Sequence, residues 1–538
     1  MRALWLRRSG WTPPTTADVS NPGRTMWLIP HSRGGALWRF ALAAFVVIAC
    51  VAATTAVAGL LQFKQIATYL SATPALKNAQ VVVPNPGDAQ TILIIGSDHR
   101  AGTSWTSANT DTMMLVRLDP NSSTINVMSI PRDLKVQIPE GGTTVTAKLN
   151  SAYSIGGPNL LESVIRQNAF PDLKINHIVD VNFGGFEDLV NAIGCVYTDV
   201  DHRYYNNTAQ TGYSSIDIQP GYQKLCGPDA LSFVRFRHTD SDIVRNARQQ
   251  DFIRWAKDQY GVSNLISNRD TLLRIFGKHT QTDRSLHTTD GLINLFNLVA
   301  FSAGHTIKQV PFPAILLPCP ITATGQTPCY VSADPNAEAN VYTKFMTPTV
   351  APTTAPAPAV AATHHRSPTP QSLGLAADPA DGKSQAKALA SAGLPVYYPR
   401  LIDAGSQYCM DVTGNCYEAP NPTTVYVGEY PRAYMLHDQS GQPHAAYRMT
   451  LVINSALGEF YGVQGTTWRT PPILNAPQQT RTVKGKQLLI FLNGHKISLV
   501  GWRTAQAAYW ISNTLNDALS NAAMIDMASS LTKGAATG

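Results

Sequence analysis

The chain has 538 residues, a length that suits about three domains. It is 44% hydrophobic and 14% charged, so it has the apolar mass for real cores. The formal charge is +7, but Arg2, Arg7, Arg8, Arg24, Arg33 and Arg39 against Asp18 place +5 of it in residues 1–39. The remainder is nearly neutral, which excludes nucleic-acid binding built on phosphate neutralisation.

Residues 1–39 read as a basic cytoplasmic tail. Residues 40–63, FALAAFVVIACVAATTAVAGLLQF, carry no charge and are closed by Arg39 and Lys64. At about 1.5 Å per residue this segment spans a hydrocarbon core as one transmembrane helix. The arginines before it keep the N-terminus cytoplasmic and send the bulk of the chain across, giving a single-pass membrane protein with an extracytoplasmic body. A cleaved signal peptide would have a shorter apolar region nearer the start. Of seven cysteines, Cys50 lies in this segment and six lie beyond it: Cys195, Cys226, Cys319, Cys329, Cys409 and Cys416. An even number in an exported region suggests disulfides, although six cysteines allow 15 connectivities. No zinc-type Cys or His spacing competes.

Residues 64–89 read as a stalk. Thr91 to Gly96 is a short apolar run, a buried strand that delivers Asp98 and Arg100 to its end. A second strand starts at Asp111, and a third runs from Thr124 to Pro131 with Arg132 and Asp133 at its end. Helices are expected over 147–155 and 159–168, split by Gly156-Gly157-Pro158. A strand over 177–183, a helix over 186–193, a strand over 196–200 and a helix from Pro228 to Phe233 come next, and 250–300 reads as largely helical. Interleaved strands and helices give an α/β fold with a mixed central sheet flanked by helices.

Arg235 to Gln250 concentrates the charge. An extended backbone would put Arg235 and Arg237 on one face, and a helix would do the same for Arg245, Arg248 and Gln249. Asp242 stands where a carboxylate suits the helix N-terminus. Guanidinium forks match phosphate oxygens and keep their charge, so the stretch reads as a polyanion site, with a solvated helix start as the plainer alternative. Asp98 and Asp111, both at strand ends, could hold a Mg²⁺ beside it; alone they would pass for turn formers.

These motifs together resemble the LytR-CpsA-Psr family over about residues 90–300. The matching blocks are Gly96-Ser-Asp98-His-Arg100, Thr110-Asp111-Thr-Met-Met, Ser129-Ile-Pro-Arg132-Asp133, Lys148 to Tyr153 with Gly156-Gly157, His177 to Phe186, Arg235-Phe-Arg237-His238 and Asp242 to Gln250. The resemblance implies a membrane-anchored phosphotransferase. It would move a glycopolymer from a polyprenyl-diphosphate carrier onto the muramic acid 6-hydroxyl of peptidoglycan, through a phosphodiester. It also implies Asp98 and Asp111 as Mg²⁺ ligands (Mn²⁺ serving as a substitute), and Arg132, Arg235, Arg237, Arg245 and Gln249 as the diphosphate site. Asp98, Asp111, Arg132 and Arg237 are the expected catalytic set, with Asp242, Arg248 and Arg100 in support. An apolar pocket for the polyprenyl chain is implied, its lining not assignable from sequence. Where the family usually has glycine stands Cys195, and Cys226 replaces a polar residue, which supports a disulfide joining these two regions. Diphosphatase side activity would result if water replaced the acceptor. The competing functions are a non-catalytic polyprenyl-phosphate binding module and a membrane-linked transcriptional attenuator; a 39-residue tail is too short for a DNA-binding domain. Alanine-rich composition and a tail with arginine but no lysine point to an actinobacterial source, and with it to arabinogalactan or another wall polysaccharide as donor.

The catalytic region is expected over 90–346. Residues 347–383 are a Pro/Ala/Thr-rich linker. Residues 384–538 read as a small α+β accessory domain, with strands over 447–454 and 486–502, the latter turning at Asn493-Gly494, and helical character over 505–531. Tyr397, Tyr398, Trp468, Trp502 and Trp510 suit a core better than a carbohydrate-stacking surface.

Overall fold

The computed structural model describes residues 68, 74–77, 79–99, 108–206, 215–236, 242–260, 268–302, 304–317, 330–350, 369–410, 416 and 430–534. The expected tail and transmembrane segment lie outside these residues, as do Arg100, Arg237, Cys319, Cys329 and residues 351–368 of the expected linker. None of the described helices is long and apolar enough to cross a membrane.

The organising element is β1 (Gln90–Ser97). Its centre, Leu93 and Ile95, is wholly buried, as a continuous apolar run requires of an interior strand. It pairs antiparallel with β2 (Thr110–Leu118), which pairs antiparallel with β3 (Thr124–Ser129). A hairpin of β4 (Lys135–Glu140) and β5 (Thr143–Lys148) follows, turning at Gly141 and Gly142 with φ of +56° and +83°. That turn needs positive φ at both central positions, which glycine adopts without strain.

Helix α1 (Leu149–Asn168) begins where the hairpin ends, and breaks at Gly156-Gly157 as the sequence predicts. β6 (His177–Asn182) lies parallel to β1. Next come α2 (Phe183–Ala192), β7 (Val196–Val200), β8 (Tyr204–Asn206), β9 (Ile216–Ile218) and β10 (Gly221–Leu225). Helices α3 (Gly227–Arg235), α4 (Asp242–Gln259) and α5 (Arg269–His279) lead to β11 (Thr280–Thr282), then α6 (Thr289–Ser302), β12 (Thr306–Gln309) and α7 (Pro335–Met346). The central sheet has the order β11-β6-β1-β2-β3-β12 and is mixed. Its two faces pack separate apolar clusters: Leu93, Ile95, Tyr153 and Leu161 on one side, Ile92, Val179 and Leu298 on the other. Cys195–Cys226 and Cys409–Cys416 are disulfides. The first joins the loop before β7 to the start of α3, as the family resemblance at these positions implied.

Three expectations are corrected. Arg235 does not begin an extended arm; it is the last residue of α3, and the chain becomes extended only at Phe236, with ψ of 133°. The linker ends earlier than residue 383, because Leu375–Ala377 is a strand and α8 (Pro379–Ala388) is capped by Asp378. Residues 505–531 are not one helix. Ala508–Ser512 is an interior strand, and only α9 (Asn521–Ser530) is helical. Ala508, Ile511, Leu515 and Leu519 do have helical spacing. The aromatic and β-branched run Tyr509-Trp510-Ile511 is buried on both faces, and that outweighs the spacing.

The C-terminal region forms an eight-stranded sheet with α8 and α9 beside it. The hairpin of Lys486–Asn493 and Lys496–Arg503 turns at Gly494 as expected. Trp510, Trp502 and Tyr398 are core residues. This region is not separate from the first: Gln62–Gly538 is one compact unit. Tyr197 and Tyr222 of the first region share a buried cluster with Leu436, Leu474 and Trp510 of the second, and Arg448 forms a buried ion pair with Asp199 at 3.1 Å.

Candidate active site

The site forms where β1 and β2 part. Gly96 faces Thr112 and Ser97 faces Thr110, so Asp111 is the extra residue of a β-bulge. A bulge re-aims the side chain it carries, and here that side chain meets three arginines from three elements. Arg132, just after β3, bonds Asp111 Oδ1. Arg235, at the end of α3, bonds Oδ2 through Nε and Nη2, both at 2.9 Å. Arg245 on α4 is fully buried and adds its field. Burial of Asp111 would raise its pKa, but Arg245, Arg132 and Arg235 overcome that and hold the carboxyl below its ordinary value.

Gln249, one turn after Arg245, donates to Thr112 Oγ1 at 2.9 Å and to the Val234 carbonyl at 3.1 Å. It therefore ties α4 to β2 and α3. Asp98, one residue beyond β1, is exposed and accepts from the Asn109 backbone at 2.5 Å and from Asn109 Nδ2 at 3.3 Å. The structure thus brings Asp111, Arg132, Arg235, Arg245 and Gln249 together, with Asp98 at the adjoining strand end. Arg248 does not join them. It is buried, donates to the Phe236 carbonyl at 2.6 Å and stacks over Tyr204 at 4.6 Å, so its role is to hold the turn after α3. Of Asp242 only the backbone is described, as the first residue of α4.

An apolar cavity of about 310 Å³ runs between the sheet and helices α2 to α5. Ile94, Met114, Val181, Phe183, Phe186 and Phe252 line it, and Thr112, Arg235 and Gln249 line it too. The guanidinium of Arg235 lies 4.0 Å over the Phe183 ring, at the meeting of cluster and cavity. The family resemblance implied such a pocket without its walls. Those walls come from four strands of the central sheet and four helices, so no local pattern marks them.

A buried polar group behind the site was also missed. Asp180 on β6 accepts from Ser97 Oγ at 2.8 Å and from Tyr153 Oη at 2.7 Å. Burial is the main cause that pushes its carboxyl up to about 7, against these two hydrogen bonds. Burial and Asp180 together raise Tyr153 well above its usual value. Both residues lie in stretches that resembled the family, and that was the available signal.

For a metal, the donors are Asp98 and Asp111; among the described residues no three His, Cys, Asp or Glu converge. Two carboxylates with phosphate oxygens and water completing the shell is a set Mg²⁺ accepts. Each Asp111 oxygen is held by a guanidinium, so a cation there would share that carboxylate with Arg132 and Arg235.

The site is thus an arginine cluster at the edge of a mixed sheet, opening onto an apolar slot. Residues 61–326 match the LytR_cpsA_psr family model, and this region of the chain belongs to that family. The chain is 32% identical over 214 residues to the polyisoprenyl-teichoic acid–peptidoglycan teichoic acid transferase TagU of Oceanobacillus iheyensis, covering 38% of this chain and 62% of that protein. It is 29% identical over 221 residues to the transferase TagV of Bacillus subtilis, covering 41% and 54%. It is 32% identical over 196 residues to the probable cell wall biosynthesis protein LcpB of Corynebacterium glutamicum, covering 34% and 43%. The chain thus spans less than two thirds of each of these relatives. Among solved structures, B. subtilis TagV aligns at 23% identity and a TM-score of 0.38, covering 48% of this chain and 97% of that one.

Proposed function

We propose that the protein is a membrane-anchored extracytoplasmic transferase that moves a glycopolymer from a polyprenyl-diphosphate carrier to peptidoglycan. The observation that carries this reading is the junction at Arg235, where three guanidiniums around Asp111 meet an apolar cavity. A diphosphate on a polyprenyl chain has that polarity: two phosphates for the arginines and a hydrocarbon for the slot. The names of TagU and TagV support the transfer, and that of LcpB supports a role in the wall.

In the proposed reaction a hydroxyl oxygen of the acceptor attacks the glycan-bearing phosphorus. A new P–O bond forms, the bridging P–O bond breaks, and polyprenyl phosphate leaves with the bridging oxygen. The acceptor proton passes to a base, Asp98 at the exposed strand end or another carboxylate. Arg132, Arg235 and Arg245 hold the non-bridging oxygens where charge accumulates, so positioning and electrostatics carry the rate. Mg²⁺ held by Asp98 and Asp111 would neutralise the charge that builds on the leaving polyprenyl phosphate. Water in place of the acceptor would give diphosphatase activity, and a wall polysaccharide such as arabinogalactan is the proposed donor class.

The test is turnover of a polyprenyl diphosphate by the full-length protein in detergent, followed as phosphate release with Mg²⁺ or with chelator. Metal-dependent release, lost in Asp98→Asn and Arg132→Ala, is the expected result. Tight binding with no turnover, even with a peptidoglycan acceptor, would leave a lipid-binding module instead.

A further inference from the structure

Helix α4 carries Arg245, Arg248 and Gln249, and the C-terminal region grips it in three places. Leu515 forms a buried cluster with Val244 and Ala247, which flank Arg245 in sequence. Gly458 has φ of +63°, and a Cβ there would stand 2.7 Å from Val244 Cγ1, so only a bare backbone lets this turn approach the helix.

The second grip is a stack. Phe460 lies on His202 with ring centroids 4.0 Å apart and planes at 16°. His202 contacts Tyr204 at 4.3 Å, and Tyr204 lies under the guanidinium of Arg248. Asp201 fixes this column, pairing with His202 at 3.2 Å and accepting from Tyr204 Oη at 2.6 Å. Arg248 in turn bonds the carbonyl of Phe236, the residue after Arg235. The third grip is a hydrogen-bond chain. Gln309 Nε2 donates to Asp251 at 2.8 Å, and Asn493 Nδ2 donates to Gln309 at 2.5 Å and to Asp517 at 2.8 Å. The three grips reach α4 at Val244, Arg248 and Asp251, bracketing the turn that presents Arg245 and Gln249.

We infer that the C-terminal region is an obligatory brace for the anion site, with Leu515, Gly458 and Phe460 as positioning residues that aim Arg245 and Gln249 of α4 at Asp111 and Thr112. This rests on reading the arginine cluster as the diphosphate site. The region is then neither a tethered wall-binding module nor a bystander. A misplacement of about 1 Å in a charge-positioning element is enough to lower function strongly.

The test uses the full-length protein in detergent, with geranylgeranyl diphosphate as the probe and hydrogen exchange of the α4 amides as a ligand-free readout. Phe460→Leu and Leu515→Ala are compared with Leu389→Ala, which truncates a buried residue of the C-terminal core outside the α4 contacts. The brace variants are expected to bind about 10-fold more weakly and to exchange faster along α4. Leu389→Ala is expected to lower Tm without either effect, and Leu515→Met to restore binding. Unchanged α4 exchange in Phe460→Leu and Leu515→Ala overturns the brace, as does an equal loss of binding in Leu389→Ala. Faster α4 exchange together with no probe binding by the wild type would instead sink the diphosphate reading and leave the brace standing.

Discussion

Replacing Asp111 by Asn removes one charge at constant shape, and its three arginine neighbours set the cost. Arg132 and Arg235 have side chains 23% and 40% exposed, so water screens their pairs with Asp111, and each is worth about 1 kcal/mol at most. Arg245 is fully buried, so water screens its attraction to Asp111 least and it adds to that loss. The variant should therefore lose about 2 kcal/mol or more at neutral pH. The pH dependence has a definite sign. Asp111 is depressed below its unfolded value of 3.8, so its stabilisation is present above that pH and fades as the pH falls through the folded pKa. The gap between wild type and variant should close in strong acid. Three guanidiniums without their carboxylate should also bind inorganic diphosphate more tightly, and ligand at about 100 times Kd would return about 2.7 kcal/mol. Denaturant unfolding of both proteins, with and without diphosphate and across pH, measures all of this. A variant within about 1 kcal/mol of wild type, gaining nothing extra from diphosphate, would refute the reasoning.

Other expectations come from single contacts. Asp180 titrates near 7 in the fold, so the stability of its neutral form is complete below 3.8 and is lost as pH rises through about 7; Asp180→Asn should flatten that slope in a pH series of Tm. Leu231→Trp, on a half-buried wall of the cavity, should weaken binding of geranylgeranyl diphosphate while leaving inorganic diphosphate binding intact, as calorimetry would show. Removing the Cys195–Cys226 bond, which closes a separation of 31 residues, should cost about 3–4 kcal/mol in chemical unfolding, whether by double serine substitution or by reductant.

Much of the site was legible because its residue types are few and local. Asp98, Asp111, Arg132 and Arg245 all stand at strand ends or on a helix start that the chain announces. Arg235 was found for its charge, although its backbone was misread: the residue closes a helix, and Arg-Phe-Arg spacing alone does not distinguish that from an extended arm. Arg248 shares the helix and charge of Arg245 yet turns toward Tyr204, a distinction that tertiary contacts decide. The cavity walls and the Ser97–Tyr153–Asp180 group were out of reach for the same reason, since each draws on strands and helices far apart in sequence. In the C-terminal region the Asn493-Gly494 turn identified its hairpin directly. Ala508–Ser512 did not declare itself, because a short run buried on both faces has no alternation to separate it from a helix. The docking of this region onto α4 had no sequence signal at all.

The most direct measurement of the proposed transfer is ligation itself. Full-length protein would be incubated with a polyprenyl-diphosphate-linked glycan, peptidoglycan oligomers and Mg²⁺, scoring polyprenyl monophosphate and glycan-bearing peptidoglycan together. The two products should appear in equal amounts, and Arg235→Ala should lower both by roughly 10²–10³-fold. Bound lipid carrier with neither product formed, or ligation undiminished in Arg235→Ala, would contradict the transfer.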